Sequence, residues 1–152
     1  MKLFERILVA TDFSPASAPA LEQSVRMASR EGALLLIAHA YQEPGLVELS
    51  RAPAKVYEEW DRKIREGVER KLGPLVENAR KGGVEAQGLL LAGFPDEAIV
   101  EAARQQRADL IVMGTHGRRG AARFFPGQRR HASDRNGSLP GDDGKKRIAS
   151  RP

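Results

Sequence analysis

Four apolar runs punctuate the chain: Ile7-Leu8-Val9-Ala10, Leu34 to His39 (LLLIAH), Val84 to Ala92 (VEAQGLLLA) and Leu110-Ile111-Val112-Met113. The third is less regular, broken at Gly88. None keeps a strict apolar-polar alternation. Apolar runs of roughly four to eight residues without that alternation suit strands covered on both faces, and so predict a parallel sheet.

Between the runs the pattern turns helical. Ala20, Leu21, Val25 and Ala28 recur at helical spacing, and Gly32 stands where a helix end takes a left-handed residue. Ser14 and Ser17 are the candidate caps. Pro19 fits only a first turn, which favours Ser17. A long charged segment from about Ala54 to Lys81 carries Val56, Trp60, Ile64, Val68, Leu72, Leu75 and Ala79 as its apolar stripe. Gly73-Pro74 predicts a kink or break there, near Arg70. A third helix is expected from Pro95, in its first turn, to about Gln106, with Ala98, Ile99 and Ala102 facing inward.

The order β-α-β-α-β-α-β predicts an α/β fold: a parallel open sheet with right-handed crossovers and helices on both faces. Ligands of such sheets bind at the carboxyl ends of the strands, near the point where the strand order reverses. Those ends are Ala10-Thr11-Asp12, His39-Ala40 and Met113-Gly114.

Candidate chemistry gathers at the same ends. Asp12 follows a buried strand directly. A carboxylate there accepts hydrogen bonds from a ribose hydroxyl or holds a hydrated Mg²⁺; equally, it caps the following turn. After Met113 comes "GTHGRRGAARFFPG", with Gly114, Gly117 and Gly127 beside Arg118, Arg119 and Arg123. Gly114 and Gly117 are free to take positive φ and to bring backbone N–H groups close to an anion. The alternative is a glycine-rich turn with solvated arginines. The stretch is neither the phosphate loop that ends in Gly-Lys-Ser/Thr nor the dinucleotide fingerprint. His39 and His116 have no Ser, Cys or Asp at a relay spacing and read as packed or hydrogen-bonded residues. Trp60 reads as core or interface packing.

Composition narrows the class. At 152 residues, 41% hydrophobic and 30% charged, the chain is of the size and make-up of one soluble domain. With no Cys it has no disulfide, thiol or zinc-thiolate chemistry. No apolar run approaches the roughly 18 residues of a membrane span, and the amino terminus has no signal-like stretch, so the cytoplasm is the expected location. The net charge of +5 is unevenly placed: residues 128–152 hold 7 Lys/Arg against 3 Asp/Glu, while residues 1–127 are nearly balanced. A basic tail either binds nucleic acid non-specifically or is simply solvated; specific nucleic-acid binding is not expected.

"ILVATDFSPAS" (7–17), "GFPDEAI" (93–99) and "ADLIVMGTHGRRG" (108–120) together resemble the universal stress protein family. That family's nucleotide signature is Gly, two residues, Gly, nine residues, Gly, then Ser or Thr; Gly114, Gly117 and Gly127 stand at the three glycine positions. The resemblance covers about residues 3–127. It implies a Rossmann-like fold of five parallel strands, homodimers, and a regulatory role in stress with little or no turnover. In one branch it implies ATP, with Mg²⁺ where Asp12 meets it. The residues implied at the nucleotide are Ala10, Thr11, Asp12 and Ala40 beside the adenosine, and Met113, Gly114, Gly117, Gly127 and position 128 near ribose and phosphates. An alternative is a dimeric interaction module of the same fold that binds no nucleotide. An enzyme that hydrolyses a phosphoanhydride would need a base or metal cluster that the sequence does not present.

The chain departs from the family at its end. The signature's last hydroxyl residue is Gln128, and "QRRHASDRNGSLPGDDGKKRIASRP" has only Leu139 and Ile148 as large aliphatic residues. The expectation is therefore a domain at 1–127, with the family's fifth strand lost, and a disordered basic tail at 128–152. Codons for Pro126 to Lys145, read one base later, are compatible with LGSVATRVIATAPCPVMTVR, a sequence close to a typical ending for the family. A one-base insertion near Pro126 is the expected cause.

Overall fold

A computed structural model describes residues 1–42 and 51–115 of the chain. These lie within a compact unit, Met1–Ala121. The expectations for Gly117, Gly127, Gln128, His116 and the 128–152 tail fall outside the described residues.

The elements run β1 (Arg6–Ala10), a 3-10 turn (Pro15–Ser17), α1 (Ala18–Glu31), β2 (Leu34–Tyr41), α2 (Ala54–Lys81), β3 (Ala86–Ala92), α3 (Pro95–Gln105) and β4 (Leu110–Met113). Among the described residues the strands form one four-stranded parallel sheet in the order β3-β2-β1-β4. The α/β fold read from the sequence is the observed one.

β1 is an interior strand, and its composition follows from that. Ile7, Leu8 and Val9 are fully buried, as are Leu35, Leu36 and Ile37 beside them in β2. Ile7, Val9, Leu35 and Ile37 pack in one cluster with Ala28 of α1 and Val68, Leu72, Val76 and Ala79 of α2. Successive side chains of a strand alternate faces, so Leu8 and Leu36 point to the opposite side. There α3 lies on β2 and β3 with Ile99, Ala102 and Ala103 buried. With both faces covered, the central positions 7–9 of β1 and 35–37 of β2 are all apolar.

The helix ends follow the sequence in part. Gly32 closes α1 at φ 62°, and Pro19 lies in its first turn. Ser17 stands at the N-cap position but makes no side-chain cap bond, because its hydroxyl is spent on the preceding turn. In α2 the expected break does not occur: one helix of 28 residues runs through Pro74. Pro74 removes the amide that would bond the Arg70 carbonyl. Leu72 on one side of it and Val76 and Ala79 on the other are buried against the sheet and hold the helix across the gap. Val76 belongs to the stripe, whereas Val56, counted in it from spacing, is exposed.

Gly88 explains the irregular third run. A Cβ there would lie 3.0 Å from Leu72 Cδ2 and 3.3 Å from Val76 Cγ2. The glycine lets α2 come down onto the edge strand.

The far end of the sheet is pinned by Asp109. Its Oδ2 accepts hydrogen bonds from the amides of Glu5 (2.7 Å) and Arg6 (2.8 Å), and its own amide donates to the Arg6 carbonyl at 2.8 Å. The backbone amides of Arg6 and then Glu5 hold the Asp109 carboxyl below the usual aspartate value. This staple sets β4 against β1 in the register Ile7↔Leu110 to Ala10↔Met113.

Candidate functional site

β1 is the switch point of the sheet. The chain leaves it toward β2 on one side, and returns from β3 to β4 on the other. A crevice at the carboxyl ends of β1 and β4 is the position where open α/β sheets take ligands.

Ala10 and Met113 are register partners, so Thr11-Asp12 and Gly114 leave the sheet from neighbouring strand ends. Gly114 is not among the positive-φ glycines, which in the described residues are Gly32, Gly83 and Gly93. The expectation of positive φ at Gly114 is corrected. It is glycine because the backbone passes close: a Cβ would sit 3.0 Å from the Ala16 carbonyl oxygen and 3.4 Å from Ser17 Cα. Ala40 lies one strand over. It is two residues beyond Ala38, the partner of Ala10, and is itself paired with Leu91.

The loop after β1 is organised by short polar side chains. Thr11 is buried; its amide donates to the Ala38 carbonyl at 2.9 Å, and its Oγ1 accepts from the Phe13 amide at 3.0 Å. Ser17 Oγ donates to the Ser14 carbonyl at 2.8 Å. That bond uses the Ser17 proton, so across the 3.1 Å contact between the two hydroxyls it is Thr11 that donates to Ser17. Asp12 Oδ1 accepts from both the amide (2.9 Å) and the hydroxyl of Ser14. Asp12 thus caps its turn, one of the two roles its position allowed, and these bonds set the orientation of the carboxylate.

Two residues at this loop, Phe13 and Lys71, were invisible to motif and periodicity. Phe13 has φ 62°, which is uncommon for a residue with a Cβ. Its ring stacks on His39 with centroids 4.4 Å apart, and Lys71 Nζ lies 5.6 Å from its centroid. His39 Nδ1 donates to the Thr11 carbonyl at 2.8 Å, which fixes the proton on that nitrogen. His39 is thus a packed and hydrogen-bonded residue, as its isolation from relay partners implied. The Thr11, Ser14, Ser17 spacing of three was the one available signal for the hydroxyl network; nothing in the sequence marked Phe13 or Lys71.

Trp60 packs between aromatic rings, with centroids 6.4 Å from Tyr41 and 6.2 Å from Tyr57. Tyr41 donates its hydroxyl to Asp61 Oδ1 at 2.9 Å, and Asp61 Oδ2 pairs with Arg65 Nε at 2.8 Å. The Arg65 and Tyr41 hydrogen bonds hold the Asp61 carboxyl below its usual value. Among the described residues no group of three His, Asp or Glu is placed to hold a metal ion. No helix among them is long and apolar enough to cross a membrane.

Residues 3–128 match the family model of the universal stress protein family. The universal stress protein YxiE of Bacillus subtilis (strain 168) is 31% identical over 144 residues, an overlap of 91% of this chain and 97% of the relative. The crystal structure of a protein from the universal stress protein family of Burkholderia pseudomallei is similar at TM-score 0.64 and 28% identity, over 84% of this chain and 89% of that one. The fold is shared with the universal stress protein from Archaeoglobus fulgidus solved in complex with dAMP, at TM-score 0.51 and 23% identity, over 72% and 79% of the two chains.

Proposed function

Because the chain belongs to the universal stress protein family, we propose that the crevice between β1 and β4 takes an adenine nucleotide, with ATP the expected form. The protein then acts as a cytoplasmic, homodimeric stress-response regulator rather than as an enzyme. One observation carries this reading. The Ala10↔Met113 register sets Asp12 and the first glycine of the 114-117-127 spacing just past neighbouring strand ends at the switch point, which supports this reading. A carboxylate beside a strand end suits ribose hydroxyls, and backbone amides of a glycine-rich turn suit phosphate oxygens.

Mg²⁺ fits as a companion of the phosphates. It is ordinarily held by one or two carboxylates plus nucleotide oxygens rather than by a protein cage. Asp12 is the carboxylate that would meet it, and when bound the ion would neutralise phosphate charge.

The test is calorimetric titration of the purified chain with ATP, ADP and AMP, with and without Mg²⁺, followed by multiple-turnover assay. Saturable one-site binding without turnover is the expected result. Absence of binding to all three would favour the second reading, a dimeric interaction module without nucleotide. Gln128 at the signature's hydroxyl position is the residue that speaks for that reading. Sustained phosphate release would overturn the non-enzymatic part.

A further inference from the structure

Phe13 is held in an unfavourable backbone conformation, and everything that holds it converges on the Asp12 turn. A non-glycine residue at φ 62° persists only where its surroundings over-determine it, and such residues cluster at ligand clamps and functional turns. Three contacts do so here. The Phe13 amide donates to Thr11 Oγ1 at 3.0 Å. The ring stacks on His39 at 4.4 Å and 30°. Lys71 of α2 stands 5.6 Å from the ring centroid, in cation–π range. His39 in turn is tied to the Thr11 carbonyl through Nδ1 at 2.8 Å. The ring is thus clamped between β2 and α2, while its backbone belongs to the loop that carries Asp12.

The left-handed residue has a direct consequence next door. It reverses the chain between Asp12 and Ser14, so that the Ser14 amide and hydroxyl meet Asp12 Oδ1. If Phe13 relaxed to negative φ, Ser14 would swing away and the carboxylate would lose both donors.

We propose that Phe13 and His39 are positioning residues: their stack, steadied by Lys71, latches the Asp12 turn in the form that receives the ribose of an adenine nucleotide. The proposal rests on the nucleotide reading above for its ligand, but the latch itself exists without ligand. Unlatched, the competent turn is a fraction of the population, and apparent affinity falls by that fraction.

Two measurements on the full chain separate the latch from the ligand. The first is hydrogen exchange of the Ser14 amide in nucleotide-free protein. The second is ATP affinity by titration calorimetry. Phe13→Gly accepts the backbone angle but removes the ring; Phe13→Tyr keeps ring and stack; His39→Asn keeps a donor near the Nδ1 position and removes the ring. The latch predicts that Phe13→Gly and His39→Asn each speed Ser14 exchange and weaken ATP about tenfold, while Phe13→Tyr stays near wild type. Lys71→Met should cost about two- to fivefold, the range of an exposed cation–π contact. Should the wild type bind no adenine nucleotide, the ligand reading fails, and the latch stands or falls on Ser14 exchange alone. Unchanged Ser14 exchange in Phe13→Gly, or unchanged ATP affinity in a folded Phe13→Gly of a chain that binds ATP, overturns the proposal.

Discussion

The carbonyl oxygen of Ala16 stands 3.0 Å from the point where a Cβ on Gly114 would lie, so the end of β4 and the turn before α1 occupy the same narrow space. The clash would be with backbone, which cannot rotate aside. Gly114→Ala should therefore push β4 from β1 and lower stability by about 1–3 kcal/mol, the range of overpacking. In a domain of this size that is a melting temperature lower by several degrees, read by thermal denaturation. A melting curve identical to wild type would show that the turn yields freely.

Gly88 presents the milder form of the same problem. Its would-be Cβ meets the ends of Leu72 and Val76 side chains rather than backbone. Gly88→Ala alone should destabilise, and Leu72→Ala alone should cost about 2–5 kcal/mol as a buried truncation. Combined, the two should cost less than their sum, because the space vacated by Leu72 receives the new methyl. A double-mutant cycle by denaturant unfolding measures this coupling; strict additivity would place α2 farther from β3.

Asp109 makes stability depend on acid. Its folded carboxyl titrates below the ordinary aspartate value, so its contribution is present above the unfolded value of about 3.9 and is lost as pH falls through the folded one. Asp109→Asn should be less stable than wild type near neutral pH, with the gap closing below about pH 4. Unfolding curves of both proteins from pH 7 to pH 3 test the sign; a gap that widens toward acid would contradict the staple.

Asp12 joins a turn role to a proposed ligand role, and two substitutions divide them. Asp12→Asn retains an oxygen for the Ser14 donors, so its stability should stay near wild type while ATP binding weakens through lost charge. Asp12→Ala loses both, and should cost about 1 kcal/mol of stability besides. Melting temperature and calorimetric affinity of the pair are the readouts. Equal ATP affinity in all three proteins would leave Asp12 as a turn cap alone.

Gly117 lies outside the described residues, and the nucleotide reading makes a prediction for it. Gly117→Val should weaken ATP binding, since a branched side chain would stand where backbone must approach phosphate. Titration calorimetry beside the wild type decides it, and unchanged affinity would remove Gly117 from the site.

The sequence by itself determined the architecture. Continuous apolar runs such as Ile7 to Ala10 arise only where both faces of a strand are covered, and the helical periods between them demand crossovers, so α/β order was legible from periodicity. Topology then pointed to Thr11-Asp12 and Gly114 before any contact was known. Tertiary structure decided what local pattern leaves open. Pro74 breaks an isolated helix, yet α2 continues because residues distant in sequence bury both its flanks. Gly114 is glycine through a neighbour nearly a hundred positions earlier, and Phe13 is left-handed through His39 and Lys71. Periodicity reports which face of an element is covered. Which atom of which distant residue does the covering, and what conformation it enforces, is settled only when the chain closes on itself.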